Sequence, residues 1–138
     1  MPIPSAPVPA YLRYPHLHGE DLVFVAENDV WTAPVRGGRA YRLTADDVPA
    51  ATPRLAPDGT RVAWASWRTG VPEVFVAPLD GGSATRLTWW NTTNTRCAGW
   101  TADGEVLAVS STGEPTRRTW AHALPAGGGV PRRLPYGP

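Results

Sequence analysis

One sequence pattern recurs three times along this chain, at intervals of about 45 residues. In the middle copy, Pro-Asp-Gly at 57–59 is followed by two apolar runs, a Gly-Gly pair and a closing Arg-Leu-Thr at 86–88. The first copy closes with Arg-Leu-Thr at 42–44, and the third has its Asp-Gly at 103–104 and closes with Arg-Leu-Pro at 133–135. Repetition at such a period predicts similar structural units packed side by side.

Each copy has the composition of four short β strands joined by turns. Asp-Gly between two apolar runs favours a tight hairpin, because glycine adopts positive φ without steric cost. The runs at 62–65 and 74–77 are rich in β-branched and aromatic residues, which is typical of strands covered on both faces. The chain contains 14 Gly and 16 Pro, which disfavours long helices.

Four strands per copy at this period are typical of β-propeller blades. We therefore predict an all-β fold of three four-stranded antiparallel blades, at about 14–44, 52–88 and 96–135. They would form a partial propeller domain at 14–138, after a Pro-rich extended lead-in at 1–13. Closed propellers usually have about four to eight blades, so three blades make an incomplete propeller. A plain β sandwich or meander with accidentally similar turns is the alternative.

Charge and cysteine content exclude several classes of function. The thirteen basic residues are all Arg, which excludes a phosphate-loop lysine, a Schiff-base lysine and a Ser-Lys pair. A net charge of +1 gives no strong attraction to nucleic acid or an anionic membrane, and no apolar run is long enough to span a bilayer. One cysteine allows no internal disulfide or cysteine zinc site. We expect no nucleic acid, membrane, metal or cofactor, and a cytoplasmic location because no secretory signal is evident.

The candidate nucleophiles and bases form no recognisable catalytic pattern. None of the serines lies in a Gly-x-Ser-x-Gly elbow, and Ser66 and Ser110 fall at equivalent strand ends, which indicates repeat structure. His16 and His18 point the same way on a strand, but a zinc site needs more ligands, so we interpret both as structural. Cys97 is interpreted as a buried, inert residue. We expect no catalytic residue in this chain.

The repeat looks like the TolB-type propeller blade, and its longer matches resemble the tricorn protease family. Similarity to the family's first blade lies in Tyr-Pro-His-Leu-His-Gly at 14–19, the run at 22–31 that ends in Asp-Val-Trp, and the tail at 37–44 that ends in Arg-Leu-Thr. Arg-Leu-Thr-Trp-Trp at 86–90 and Gly-Trp-Thr-Ala-Asp-Gly at 99–104 resemble the next blade junction. The resemblance covers nearly the whole chain.

The resemblance implies a large cytoplasmic serine peptidase that trims oligopeptides downstream of the proteasome. Such an enzyme has a six-bladed propeller, a seven-bladed propeller, a PDZ-like domain and a catalytic core, and it assembles as a hexamer. This chain would be about half of the first propeller, a non-catalytic part that gates or guides peptides. The alternative is a TolB-type protein-binding or scaffold propeller without enzymatic activity. A third hypothesis is the propeller of a prolyl-oligopeptidase-like hydrolase.

The resemblance also implies one substrate-binding residue. In the family, a basic loop after the second blade anchors the C-terminal carboxylate of the substrate. The corresponding stretch here is 89–96, and Arg96 is the only basic residue on it. We therefore expect Arg96 to bind substrate.

Other arginine pairs and several tryptophans are further candidates for binding. Guanidinium groups bind carboxylates bidentately, so the pairs at 117–118 and 132–133 could bind peptide termini, although solvated surface arginine is the plainer interpretation. We interpret most of six tryptophans as blade-packing residues: Trp64, Trp67, Trp89, Trp90, Trp100 and Trp120. Trp67 and Trp90 lie just beyond predicted strands, where propeller loops form binding surfaces, although a structural role is the plainer interpretation.

Overall fold

The computed structural model describes residues 11–136, and every regular element within that range is a β strand. Twelve strands form three four-stranded antiparallel sheets, which confirms the predicted all-β fold class. No helix long and apolar enough to cross a membrane occurs among these residues. Of the predicted lead-in, residues 1–10 lie outside the described range.

The strands of each sheet follow one another in chain order. The first sheet contains β1 (Arg13–His18), β2 (Asp21–Ala26), β3 (Asp29–Pro34) and β4 (Tyr41–Arg42). The second contains β5 (Ala50–Leu55), β6 (Arg61–Ser66), β7 (Glu73–Pro78) and β8 (Thr85–Arg86). The third contains β9 (Arg96–Trp100), β10 (Val106–Ser110), β11 (Trp120–Leu124) and β12 (Arg132–Arg133).

The connections between strands lie at two opposite edges of the molecule. The first strands of the three sheets lie next to one another, with β5 packed against both β1 and β9. Antiparallel order then places the β1–β2 and β3–β4 turns, with their counterparts in the other sheets, at one edge, which we call the turn edge. The other edge carries the β2–β3 loop, its counterparts, and the links between sheets at 43–49 and 87–95. We call it the link edge.

The second sheet is buried on both faces. Its side chains that pack towards the first sheet are Val62, Trp64, Phe75 and Ala77, and those that pack towards the third are Ala63, Val74 and Val76. The Trp64 and Phe75 rings stack with their centroids 6.2 Å apart. Double-sided burial explains why β6 and β7 are continuous apolar runs rather than alternating apolar and polar residues.

A buried carboxylate and a threonine hydroxyl close the first two sheets. The Thr88 hydroxyl donates to Glu73 Oε1 at 2.7 Å and accepts from the Val74 N–H at 2.9 Å. The Thr44 hydroxyl donates to Asp29 Oδ1 at 2.8 Å and accepts a backbone N–H at 3.0 Å. We call this arrangement the carboxylate–threonine clasp. It explains why these two copies of the repeat end on threonine, because the hydroxyl satisfies two buried groups at once.

The third sheet is closed without a clasp. Trp120 occupies the position that corresponds to Glu73, and Pro135 the one that corresponds to Thr88. The Ala121 N–H donates instead to the Tyr136 carbonyl, at 3.0 Å. The change from Arg-Leu-Thr to Arg-Leu-Pro in the third copy therefore matches the loss of the carboxylate.

Histidine links the first two sheets. The His16 Nδ1 accepts the Leu55 N–H at 3.0 Å, which joins β1 to β5. Burial, with smaller contributions from the positive charge of Arg54 and from His18, lowers the pKa of His16 below its ordinary value. Protonation at Nδ1 would remove the acceptor, so this bond requires the neutral ring.

The clasp gives a first prediction. In Thr88→Val the shape is retained, but the Glu73 carboxylate loses a donor and the Val74 N–H loses its acceptor. Unsatisfied buried groups of this kind cost about 1–3 kcal/mol, so chemical denaturation should show a loss of that size. The matched control is Thr69→Val in the exposed β6–β7 loop, which should change stability little. Equal effects of the two substitutions would contradict the role of the clasp.

The His16 bond gives a second prediction, on pH. The folded pKa is lowered, so the unfolded state binds more protons below about pH 6.5, and stability should fall as pH falls below that value. Burial lowers the pKa of His122 in the same direction. In His16→Asn the side-chain oxygen can still accept the N–H without titrating, so the pH dependence of thermal unfolding should flatten. His18→Asn leaves the His16 bond to Leu55 in place and should flatten the slope less than His16→Asn does. An unchanged slope in His16→Asn would refute the assignment.

Candidate functional site

The link at 87–95 is fixed at its start by a fully buried carboxylate. The backbone N–H groups of Trp90 and Asn91 donate to the two Glu73 carboxylate oxygens, each at 3.1 Å. An Arg86 guanidinium nitrogen lies 3.1 Å from Glu73 Oε2. Together with the Thr88 hydroxyl, these donors satisfy a side chain that has no solvent exposure. The clasp that closes the second sheet therefore also fixes the path of the link.

Hydroxyl groups fix the end of the link. The hydroxyls of Thr92, Thr95 and Ser110 lie 2.8–3.0 Å from one another, which joins the link to the end of β10. Asn94 Oδ1 accepts from the N–H and the hydroxyl of Ser111, at 3.2 and 2.8 Å. The segment before Arg96 is therefore held by side chains from both the second and the third sheets.

Arg96 is the first residue of β9 and lies opposite Val109 of β10, at the link edge. Its side chain is exposed, and no carboxylate within residues 11–136 lies within 4.0 Å of it. A guanidinium in this state is free to bind an anion bidentately. The structure thus places the predicted residue on a fixed segment and leaves its charge available.

The other predicted arginines divide into two groups. Arg117 and Arg118 are exposed in the β10–β11 loop, at the same edge as Arg96. Arg132 and Arg133 lie on the outer strand β12, where each is engaged by a carboxylate, Glu105 or Glu114, at 2.7 Å. The first pair therefore shares an edge with Arg96, whereas the second pair is used in surface ion pairs.

Of the two tryptophans on the link, Trp89 is exposed and Trp90 is half-buried. Trp89 is 68% exposed, and the Arg86 guanidinium lies over one face, 4.8 Å from the ring centroid. Trp90 is half-buried and packs on the His122 ring at 4.7 Å, while Trp67 is half-buried beyond β6. Trp89 therefore does not pack inside a blade as the sequence predicts, because the link directs it outward. The sequence feature that could have indicated this exposure is the position of Trp89 directly after the Arg-Leu-Thr that ends the repeat.

The carboxylate that organises this site was missed in the sequence. Glu73 and Asp29 occupy the same position in two copies, each followed about 15 residues later by the threonine it binds. Comparing the copies position by position would have identified the pair. Charge alone gave no hint that Glu73 is buried.

The candidate catalytic groups have structural partners instead. Ser66 and Ser110 are buried at equivalent strand ends, and each hydroxyl accepts the backbone N–H two residues later, at 3.2 and 3.1 Å. His122 Nδ1 donates to the Trp120 carbonyl at 2.9 Å. Burial raises the pKa of Cys97 to about 12, so it is not a thiolate near neutral pH.

No metal or nucleophile site is assembled within residues 11–136. Neither His16 nor His122 is hydrogen-bonded to a serine or to the cysteine there. No cluster of three or more His, Cys, Asp or Glu side chains is placed to hold a metal ion in that range. The arrangement supports binding by an exposed cation on a fixed link, and it offers no nucleophile–base pair.

Comparison with known proteins identifies the family. The family described as the tricorn protease N-terminal beta propeller domain matches residues 9–138. Tricorn protease homolog 1 of Streptomyces coelicolor is 57% identical over 139 aligned positions, which cover 100% of this chain and 13% of that protein. The chain thus spans about an eighth of the length of this relative.

Solved structures agree with the sequence match. The crystal structure of the tricorn protease has a TM-score of 0.84 at 21% identity, over 95% of this chain and 14% of that one. TolB from Acinetobacter baumannii has a TM-score of 0.70 at 21% identity, over 88% of this chain and 32% of that one. The fold is thus shared with both, and the resemblance seen in the sequence is confirmed. The chain belongs to the family of tricorn protease N-terminal β-propeller domains.

Proposed function

We propose that this chain is the non-catalytic N-terminal propeller part of a tricorn-like serine peptidase that degrades oligopeptides downstream of the proteasome. In this role it gates or guides peptides, and Arg96 holds the peptide's C-terminal carboxylate. Its partners are the remaining propeller and catalytic domains of the parent protein, in a cytoplasmic homo-oligomer that the family resemblance gives as a hexamer. The observation that carries the proposal is Arg96, which is exposed at the end of a fixed link and has no carboxylate within 4.0 Å among residues 11–136, in a chain of this family.

Two physical features suit Arg96 to this task. The guanidinium fork matches a carboxylate, and charge-assisted bonds of this type are stronger than neutral ones. The link is already held by Glu73 at one end and by the Thr92–Thr95–Ser110 hydroxyls at the other, so little ordering is needed when a peptide binds. Trp89 adds an exposed aromatic surface on the same link.

Binding of peptides with free and amidated C-termini tests the role of Arg96. A fluorescently labelled peptide with a free carboxylate should bind more tightly than the same peptide as an amide. Arg96→Gln should weaken carboxylate binding about tenfold, which corresponds to the loss of about 1.4 kcal/mol. Arg36→Gln, at the exposed turn-edge pair with Glu20, is the matched control and should bind as the original does. Equal affinity for carboxylate and amide would refute the assignment.

Hydrolysis gives a separate test of the non-catalytic role. The chain alone should not cleave fluorogenic oligopeptides, because residues 11–136 hold no hydrogen-bonded nucleophile and base. The measurement is product release over several hours with repurified protein. Turnover that survives repurification and disappears in a serine variant such as Ser111→Ala would overturn the proposal.

A TolB-type scaffold is the second candidate function, and the structural similarity to TolB favours it. A scaffold of that type would bind a protein partner and would not distinguish peptide carboxylates from amides at Arg96. The sequence encoded downstream separates the two. A PDZ-like segment followed by a serine-peptidase core supports the peptidase role, and a chain that ends after the propeller supports the scaffold role.

A further inference from the structure

A cleft lies between the first and second sheets, at the turn edge. It has a volume of about 410 Å³, which is within the range of small-ligand sites. The first sheet contributes the start of β2, the end of β3 and Tyr41 of β4. The second sheet contributes the β5–β6 and β7–β8 turns. Because neither sheet forms it alone, the cleft exists only when the sheets are packed together.

Two carboxylates line this cleft without a positive partner. Asp21 comes from the first sheet and Asp80 from the second, and no arginine is among the lining residues. Within residues 11–136, neither carboxylate takes part in an ion pair or a side-chain hydrogen bond, whereas six other acidic residues are paired with arginine. Those six are Glu20, Asp29, Asp46, Glu73, Glu105 and Glu114. The lining of the cleft itself therefore carries two carboxylates and no positive group, and Arg42 lines the adjoining hollow together with Asp80.

Nearby arginines do not neutralise the cleft from inside. Arg36 is bound to Glu20, and Arg42 lies near Asp29 and over the Trp31 ring. Arg39 lies over the Tyr41 ring, 5.5 Å from its centroid, and remains exposed at the rim. The stacked Arg39 shows that the Tyr41 ring accepts a guanidinium.

The remaining lining is mostly apolar. Pro34, Leu79 and the ring of Tyr41 form its walls, and Tyr41 is 57% exposed. A second hollow shares Tyr41, Leu79 and Asp80 with the cleft and continues along β4. A side chain in the cleft would therefore have room beside it for its own backbone. Apolar walls with acidic groups fit a cation on an apolar stem.

We propose that this cleft binds an arginine side chain of a peptide. The methylene stem would pack on Pro34 and Leu79, and the planar guanidinium would stack on Tyr41 in place of Arg39. Its donors would reach Asp21 and Asp80. Lysine fits less well because its ammonium is strongly hydrated and does not stack as a plane. The cleft is at the turn edge and Arg96 at the link edge, so this site is independent of the proposed carboxylate site.

Arginine and citrulline peptides provide the test, because citrulline has nearly the same shape without the charge. The probes are labelled tripeptides of sequence Ala-Arg-Ala and Ala-citrulline-Ala, blocked at both ends so that Arg96 has no carboxylate to bind. The arginine peptide should bind at least about tenfold more tightly, as expected when two charge-assisted contacts are lost. A lysine peptide should fall between the two. Equal binding of the arginine and citrulline peptides would overturn the proposal.

Substitutions of residues that line the cleft test whether the arginine peptide binds there. Asp21→Asn with Asp80→Asn keeps the shape and should abolish the preference for arginine, and Tyr41→Ser should weaken binding several-fold. Asp103→Asn, in the β9–β10 turn at the same edge but outside the cleft, is the control and should bind as the original does. Arg96→Gln should also leave arginine binding unchanged. Equal loss in Asp103→Asn would show non-specific attraction and refute the site.

One competing occupant is an arginine of a second copy of this chain. The oligomeric state, measured by sedimentation without added peptide, distinguishes an arginine of a second copy from an arginine of a separate peptide. The original and the Asp21→Asn, Asp80→Asn variant should have the same oligomeric state if a separate peptide fills the cleft. Dissociation in the variant alone would show that the cleft is a contact between copies, and would overturn the proposal.

Discussion

The buried Glu73 carboxylate is the interaction on which the second sheet and the link edge both depend. It has no solvent exposure, yet it is matched by one hydroxyl, two backbone N–H groups and a guanidinium. A buried charge is tolerated only when its hydrogen-bonding capacity is filled in this way. Because those donors come from residues 86–91, the same contacts close the second sheet and hold the start of the link. Arg96 is held by the continuation of that segment.

The two edges of the molecule are chemically different for a structural reason. The connections at the turn edge are no longer than the seven residues at 125–131, and packing of neighbouring sheets leaves a cleft between two of the sheets there. The link edge carries longer segments, which have room for Trp89, Asn94 and the arginines of the β10–β11 loop. Propeller-type sheets thus offer two separate surfaces on one scaffold. The proposed carboxylate site at Arg96 and the proposed arginine site in the cleft therefore lie at different edges and would not compete.

Much of the fold could be predicted because its signals are local. The Asp-Gly turn at 58–59 does have positive φ at its glycine, as the sequence required. The strand-end positions of Ser66 and Ser110 agree with the repeat and are used for the same backbone hydrogen bond. The domain boundaries stay a prediction. The candidate site was harder to predict from the sequence, because the exposure of Trp89 depends on the path of a link that has no periodic pattern.

The sequence alone determined the three-fold repeat, the all-β class, the turns and the family, because these follow from local spacing and from residue identity. Only the tertiary structure decided which polar groups are buried and which are free. Asp21 and Asp80 are far apart in the chain but line one cleft, and Glu73 reaches residues about 15 positions away. Such contacts arise when sheets pack face to face and links fold back over them. The order of charged residues along the chain does not indicate which of them the packing brings together, so only the structure shows these contacts.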